Sequence, residues 1–219
     1  MKINIAIDGP SAAGKSTIAK LLAKKLNYSH LDTGAMYRCV AYKVLNMGIQ
    51  IDDEPKIIDV IKNTDIELRP DGTIYLDGQQ VTNEIRTNEV SMGASDVSKL
   101  EQVRKELVHR QQEMAKSKGV IMDGRDIGTV VLKDAEVKIF LTASAEARAL
   151  RRHKENLEKG LESNLEELTK EIEARDYQDS HREHSPLKKA DDGIEVDTSN
   201  LSIDEVVTKI DEIIQSKLV

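Results

Sequence analysis

The chain has 219 residues, 39% of them hydrophobic and 32% charged, which suffices for one α/β domain with a small insertion but not for two full domains. Its formal net charge of −7 argues against a general affinity for nucleic acid or anionic lipid, because such binding depends on neutralising phosphates. The single cysteine, Cys39, excludes an internal disulfide and a cysteine-rich zinc site, so we expect a reducing, cytoplasmic setting.

The first predicted strand, Ile3–Ile7, leads into a glycine-rich loop with the pattern G-x-x-x-x-G-K-[ST], and a predicted helix over Lys15–Leu26 follows. The two glycines let consecutive backbone N–H groups point at phosphate oxygens, and the helix adds the positive end of its dipole. Lys15 can reach the β- and γ-phosphates, and the Ser16 hydroxyl can help to coordinate magnesium. This context favours a nucleotide-binding loop over a structural turn, with the contacts made by Gly9, Pro10, Ser11, Ala12, Ala13, Gly14, Lys15, Ser16 and Thr17.

A second predicted strand, Tyr28–Leu31, precedes a helix over Ala35–Met47 that carries Arg38 in its first turn. Ligands of open α/β sheets bind at the carboxyl ends of the strands. We therefore expect Arg38 to point toward the nucleotide.

From position 52 to about 90 the alternation of strands and helices stops. A short helix with Pro55 in its first turn is followed by three predicted small strands, Ile66–Leu68, Thr73–Leu76 and Gln80–Thr82. Asp77-Gly78 is a strong hairpin signal, so we interpret the segment as an antiparallel insertion. A long helix over Leu100–Ser117 follows, and Arg69 and Arg110 are interpreted as surface residues.

The third buried strand, Val120–Met122, ends in Asp123, and Arg125 follows two residues later. A strand-end acid beside a phosphate loop orients magnesium or its waters, so Asp123 is a metal candidate that acts through water; a helix cap is the alternative. Arg125 is expected to point toward the nucleotide, as Arg38 is. Asp8, at the end of the first strand, either serves the same metal region or only ties down the loop.

A strand over Val137–Leu141 and a helix over Ala145–Leu157 lead into a highly charged hairpin, whose second helix is predicted to start at a Ser163–Glu166 capping box. The hairpin is either a solvated surface feature or an arginine lid. Three arginines of the first helix, at spacing i, i+3 and i+4, share one helix face: Arg148, Arg151 and Arg152. Two more, Arg175 and Arg182, lie in the second half of the hairpin.

The alternation ends with a strand over Ile194–Val196 and a helix over Ser202–Leu218, which starts at a Ser202–Glu205 capping box. The whole pattern predicts a P-loop NTPase-like α/β fold of three layers, with a parallel sheet and helices on both faces. We expect one domain with a core (1–51, 91–147 and 186–219), an antiparallel insertion (about 52–90) and a helical lid (about 148–185).

Four segments carry a more specific resemblance: GPSAAGKST at 9–17, LDTGAMYR at 31–38, MDGRDIGTVV at 122–131 and EARDYQDSHREHSPL at 173–187. Over essentially the whole chain they resemble the bacterial cytidylate kinases; the first motif is shared by many families and the last two are specific. The resemblance implies ATP-dependent phosphorylation of CMP and dCMP with Mg²⁺, and an insertion that binds the nucleoside monophosphate. It also implies small-molecule partners and a monomer.

The resemblance further implies residue roles. Cytosine contacts fall on Ser95, Arg104 and Asp126, and the chemistry agrees, because a carboxylate can accept from the cytosine amino group. Acceptor-phosphate contacts fall on Thr33, Tyr37, Arg38, Arg125 and Arg182, and sugar contacts on Asp179 with Arg175. The transferring phosphoryl group is assigned to Lys15, Arg148, Arg151 and Arg152, with Arg125 and Arg182 completing the catalytic set. Tyr177-Gln178 stands where some relatives have a further arginine, which leaves the sharing of phosphate contacts open.

Three alternatives are weighed against this assignment. A kinase for UMP and CMP, or for another nucleoside monophosphate, is the nearest, and a substrate panel separates it. A non-enzymatic nucleotide-binding switch would have little use for so many arginines beyond the phosphate loop. A small-metabolite kinase is weakened by the large insertion. No membrane partner is expected, because no apolar stretch approaches the roughly 18 residues of a span.

Overall fold

The computed structural model describes residues 2–158 and 160–218. The chain divides into two compact units, Met1–Tyr28 with Lys118–Val219, and Ser29–Ser117. Across the described ranges, no helix is both long enough and apolar enough to cross a membrane.

In chain order the strands are β1 (Asn4–Asp8), β2 (Ser29–Asp32), β3 (Ile66–Leu68), β4 (Ile74–Leu76), β5 (Gln79–Gln80), β6 (Val120–Gly124), β7 (Val137–Thr142) and β8 (Ile194–Asp197). The α-helices are α1 (Lys15–Leu26), α2 (Thr33–Asn46), α3 (Glu54–Lys62), α4 (Asn88–Val97), α5 (Glu101–Ala115), α6 (Ala145–Glu158), α7 (Leu165–Ser180) and α8 (Ile203–Leu218). A 3₁₀ turn covers Glu84–Arg86, and a π-helix covers Ile127–Val131.

The first unit is built on parallel strands in the order β6-β1-β7-β8. Every residue of the central strand β1 is buried, as expected for a parallel strand with both faces covered. The core of this unit joins the strands to α1 and α8 through residues such as Ile5, Leu22 and Ile210. Asn27 ends α1 in the left-handed conformation, with φ 55°, and its amide donates to the Ala23 carbonyl.

The second unit has its own core, in which α2, α3 and α5 contribute Val40, Ile57 and Leu107. The antiparallel strands β3, β4 and β5 lie beside this core. Asp77 and Gly78 form the turn between β4 and β5, and their positive φ angles of 49° and 78° are those of a type I′ hairpin turn. The hairpin predicted at this dipeptide is confirmed.

The predicted α/β class, with a parallel sheet and a small antiparallel sheet, is confirmed. The Ser202–Glu205 capping box is also confirmed, because the Glu205 amide donates to Ser202 Oγ and the Ser202 amide to Glu205 Oε2. The second predicted box is wrong: α7 is capped by Asn164, whose Oδ1 accepts from the amides at 166 and 167. Ser163 instead contacts His153 Nδ1 at 2.9 Å.

Two arginines interpreted as surface residues have structural partners. Arg110 donates to the carbonyl oxygens of Ile61 and Thr64 at 2.7 and 2.8 Å, and so satisfies carbonyls at the end of α3. Arg69 lies 3.7 Å from the centre of the Tyr75 ring. The second unit is thus larger than the predicted insertion, because α2, α4 and α5 pack with it; the division into core, insertion and lid stays a prediction.

Candidate active site

The glycine-rich loop connects β1 to α1 in the first unit. Its first glycine, Gly9, has φ 150° and passes so close to β7 that a Cβ there would lie 2.2 Å from the Leu141 carbonyl oxygen. Ala12 and Gly14 are both left-handed, with φ 59° and 88°, and Gly14 is the N-cap of α1. Alternation of this kind turns successive backbone N–H groups toward one side, which is the geometry that binds phosphate.

Lys15 is buried within this loop, with 6% of its surface exposed. Its Nζ donates a hydrogen bond to the Pro10 carbonyl oxygen at 2.7 Å. Burial, together with the positive charge of Arg125, lowers the pKa of Lys15 to about 7, although the carboxylates of Asp123, Asp179 and Asp8 act in the opposite direction. Because of its burial and its hydrogen bond to Pro10, the Lys15 amine is already positioned inside the loop.

The two predicted metal residues are in contact. The Ser16 hydroxyl donates to Asp123 Oδ2 at 2.7 Å, and Asp123 is buried at the end of β6. A hydroxyl and a carboxylate are the hard oxygen ligands that magnesium takes, usually with water and nucleotide phosphates in its remaining positions. The pair therefore fits Mg²⁺. In the part of the chain that the structure describes, no group of three His, Cys, Asp or Glu side chains could hold a metal by itself.

The Asp8 carboxylate holds the start of the π-helix. Its two oxygens accept from the amides of Ile127 and Gly128 at 2.8 and 2.7 Å. Burial raises the pKa of Asp8 to about 7, against the two amide hydrogen bonds, which favour the charged form. The Asp8 carboxylate thus ties residues 127 and 128, a contact that neither sequence-based alternative for Asp8 predicted.

A carboxylate on α7 gathers two of the predicted phosphate-binding arginines. Arg125 Nε donates to Asp179 Oδ2 at 2.7 Å, and Arg182 Nη2 lies 3.8 Å from Asp179 Oδ1. Burial opposes ionisation of Asp179, but Arg125 and Arg182 outweigh it and lower the pKa of this carboxyl. Arg175, one turn before Asp179, also lowers this pKa. The predicted sugar and phosphate contacts of the first unit therefore form one charged cluster.

The three arginines of α6 do not share one environment. Arg148 is buried, and its guanidinium donates to the carbonyls of Ala143 and Ser11 and, through both Nη atoms, to the Asp176 carboxylate at 3.0 and 2.5 Å. Arg151 is half-buried and donates to the carbonyl and hydroxyl of Thr198. Arg152 is exposed. One arginine thus joins α6 to α7 and to the glycine-rich loop.

In the second unit the predicted acceptor residues lie along α2, α4 and α5. Arg38 pairs with Asp32 at 2.9 Å, and this guanidinium, with the Ala35 amide, lowers the Asp32 pKa against the effect of burial. The Arg104 guanidinium stands 5.5 Å from the centre of the Tyr37 ring and donates to the Ser98 carbonyl at 3.1 Å. Thr33 is buried and Ser95 half-buried.

Sequence reasoning missed one acid in each unit that pairs with a predicted site arginine, Asp32 in the second unit and Asp176 in the first. Asp32 caps α2 by accepting from the Ala35 amide at 2.9 Å, and its position just before a helix signalled this. Asp176 lies three residues before Asp179, so the spacing places both carboxylates on one side of α7. The i, i+3 spacing of these two acids could have predicted that both pair with arginines on the neighbouring elements.

A sequence profile described as "Cytidylate kinase" matches residues 5–216. The chain belongs to the cytidylate kinase family. A cytidylate kinase of Bacillus cereus (strain ATCC 10987 / NRS 248) is 56% identical over 216 residues, covering 97% of this chain and 96% of the relative. One of Bacillus thuringiensis (strain Al Hakam) is 57% identical over 212 residues, covering 95% and 94%. The resemblance drawn from the four motifs is confirmed.

Solved structures support the fold of this family member. An uncharacterized protein from Eubacterium ventriosum ATCC 27560 aligns with a TM-score of 0.54 at 14% identity, covering 99% of both chains. A gluconokinase from Sinorhizobium meliloti 1021 aligns with a TM-score of 0.51 at 12% identity, covering 99% of this chain and 97% of the other. At such low identities these likenesses concern the fold alone, and they agree with the predicted P-loop NTPase-like class.

Proposed function

We propose that the protein transfers a phosphoryl group from ATP to CMP and dCMP, which gives ADP together with CDP or dCDP. In this proposal the protein acts as a monomer in the cytoplasm, and the reaction is a step of pyrimidine nucleotide metabolism. Its membership in the cytidylate kinase family supports the acceptor. The observation that carries the proposal is the charged cluster of the first unit, where Lys15, Arg125 and Arg182 lie among buried carboxylates. Phosphoryl transfer needs such fixed positive charge, since the transition-state charge spreads over several oxygens.

The donor nucleotide would lie in the loop formed by residues 9–17, with Lys15 exchanging its hydrogen bond to Pro10 for a phosphate oxygen. Ser16 directly, and Asp123 through water, would hold Mg²⁺, which neutralises phosphate charge during transfer. Arg148, Arg151 and Arg152 on α6 and Arg182 after α7 would contact the transferring group. Closure of the lid over bound nucleotides would exclude water that otherwise hydrolyses ATP.

The acceptor contacts are proposed residue by residue in each unit. In the first unit Arg125 and Arg182 would bind the monophosphate, Asp179 with Arg175 the sugar, and Asp126 the cytosine amino group. In the second unit Thr33, Tyr37 and Arg38 would bind the monophosphate, and Ser95 and Arg104 the ring acceptors of cytosine. Uracil offers no amino donor to Asp126, so discrimination against UMP is expected.

The test is steady-state ADP production with Mg²⁺ and ATP, using CMP, dCMP, UMP and AMP as acceptors under identical conditions. A strong preference for CMP and dCMP is the expected result. Comparable rates with CMP and UMP would instead favour a kinase for both pyrimidines and remove the base-reading roles of Ser95, Arg104 and Asp126. No turnover with any acceptor would overturn the enzymatic function.

A further inference from the structure

Asp8 is a buried acid to which the family assignment and the proposed reaction give no role. It is the last residue of β1, directly before Gly9, and only 4% of its surface is exposed. Both carboxylate oxygens accept backbone hydrogen bonds, from Ile127 at 2.8 Å and from Gly128 at 2.7 Å. A carboxylate that accepts two N–H groups makes stronger, shorter hydrogen bonds than a neutral acceptor does.

The two amides that Asp8 binds belong to the start of the π-helix Ile127–Val131, which begins directly after Arg125 and Asp126. Asp126 is the N-cap of this helix, with φ −142° and ψ 25°, and its carbonyl accepts from the amides of Val130 and Val131 at 2.8 and 3.2 Å. A π-helix is a rare, locally strained structure that other contacts must hold. Fixing its first two amides therefore also fixes the backbone at Asp126.

Gly128 shows how closely this contact is packed. A Cβ at this position would lie 3.2 Å from Lys138 Cδ and 3.4 Å from Asp8 Oδ2. Lys138 is itself buried, and its amine pairs with Asp192 at 2.9 Å. The segment is therefore contacted from two directions, by the Asp8 carboxylate and by the Lys138 alkyl chain, and loss of the Asp8 carboxylate would remove one of these two supports.

We propose that Asp8 is a positioning residue for the acceptor nucleotide: through the amides of Ile127 and Gly128 it holds Arg125 and Asp126 in their binding orientation. This inference rests on the proposed function, because it takes Arg125 and Asp126 as acceptor contacts. Asp8 also immediately precedes Gly9. The end of β1 therefore contacts residues 127 and 128 and also begins the glycine-rich loop.

The experiment compares Asp8→Asn and Gly128→Ala with the unaltered protein at pH 8, where the Asp8 carboxyl, with its pKa of about 7, is ionised. In Asp8→Asn an NH₂ group faces one of the two amides. In Gly128→Ala the new methyl group lies 3.2 Å from Lys138 Cδ and 3.4 Å from Asp8 Oδ2, so it crowds the Lys138 side chain and is expected to displace residues 127 and 128. Either variant is expected to raise the KM for CMP at least tenfold, to leave the KM for ATP within threefold, and to speed hydrogen exchange at the amides of 127 and 128. Because the two perturbations differ, the test survives if one variant does not fold.

Glu136→Gln is the matched control. Glu136 also presents a carboxylate to a backbone amide of β1, that of Asn4, at 2.9 Å, but at the opposite end of the strand. This variant is expected to leave both KM values and the exchange at 127 and 128 unchanged. A loss common to all three variants would show that Asp8 only supports the strand, and would overturn the proposal.

The outcomes separate this inference from the proposed function. If CMP is not the preferred acceptor of the unaltered protein, the proposed substrate is wrong, and the KM of the acceptor that is preferred then tests Asp8. Unchanged acceptor KM values in both variants, or equal rises in the KM for acceptor and for ATP, would overturn the positioning role. A protein without turnover on any acceptor would overturn both.

Discussion

Replacing Asp176 with Asn tests the ion pair that joins helices α6 and α7. The Arg148 guanidinium is 5% exposed and the Asp176 carboxylate 27% exposed, and two hydrogen bonds at 3.0 and 2.5 Å connect them. Asparagine keeps the size of the side chain but removes its charge and turns an NH₂ group toward one guanidinium nitrogen. The buried cation would then keep three neutral acceptors, the carbonyls of Ala143 and Ser11 and the oxygen of the new amide, but no anionic partner on α7.

The magnitude follows from the burial of the two partners. Removing one member of a fully buried pair costs about 3–5 kcal/mol, whereas exposed pairs contribute roughly 0.2–1 kcal/mol. Because the carboxylate is partly exposed and two carbonyl acceptors remain, we expect Asp176→Asn to lower the free energy of unfolding by about 2 kcal/mol. For a chain of this size that corresponds to a Tm lower by roughly 4–8 °C.

Urea unfolding followed by far-UV circular dichroism, with hydrogen exchange at the amides of α7, measures this loss. Glu166→Gln is the matched control on the same helix, since Glu166 pairs with Lys170 at 2.7 Å but both side chains are at least 70% exposed. The control is expected to cost less than about 0.5 kcal/mol. If Asp176→Asn costs no more than the control, the reasoning from the burial of Arg148 is refuted.

Three further predictions concern the chemistry and the pH response. Lys15→Met should lower kcat at least about 100-fold while circular dichroism shows the fold intact, because the buried amine proposed to contact the phosphates is lost; unchanged turnover would remove Lys15 from the mechanism. Asp126→Ala should lower the ratio of kcat/KM for CMP over UMP about tenfold or more, and equal losses for both acceptors would contradict its role in reading the base. Between pH 4 and 7 the unfolded chain ionises Asp8 before the folded protein does, since burial raises the folded pKa to about 7, so the contribution of Asp8 to stability should fall as pH rises. Relative to Asp8→Asn the fall should reach up to about 4 kcal/mol in urea titrations, and parallel pH curves for the two proteins would be inconsistent with the raised pKa.

Local signals were sufficient for much of the fold. The α1 bounds follow from the loop pattern and an alanine-, leucine- and lysine-rich run, and the Asp77-Gly78 turn follows from its φ preference. The missed helix α4 contains Gly93 and two serines, which favour helices weakly, and it packs on α2 at Gly93, where a Cβ would lie 3.3 Å from Ala41. Tertiary packing, which no local pattern reports, decides such a helix.

In the candidate site, too, local sequence patterns predicted some features and not others. The positions of Lys15 and Ser16, at the end of the glycine-rich loop and the start of α1, could be predicted from the motif spacing alone. The different environments of Arg148 and Arg152 could not be predicted in this way, because i, i+4 spacing determines the helix face but not what packs against that face. The π-helix after Asp126 was also missed, since distant contacts from Asp8 and Lys138 hold it.

The carboxylates of α7 bear on how an acidic protein can accept polyanionic ligands. Asp176 and Asp179 already occupy the guanidinium groups of Arg148 and Arg125. A phosphate that bound at these arginines would exchange one anion for another and would gain little from charge alone. A small ion such as inorganic phosphate cannot displace several carboxylates at once, whereas a nucleotide with phosphates, sugar and base held together can. If nucleotides bind at these arginines as proposed, the internal carboxylates would favour ligands that make many simultaneous contacts over ligands that merely carry negative charge.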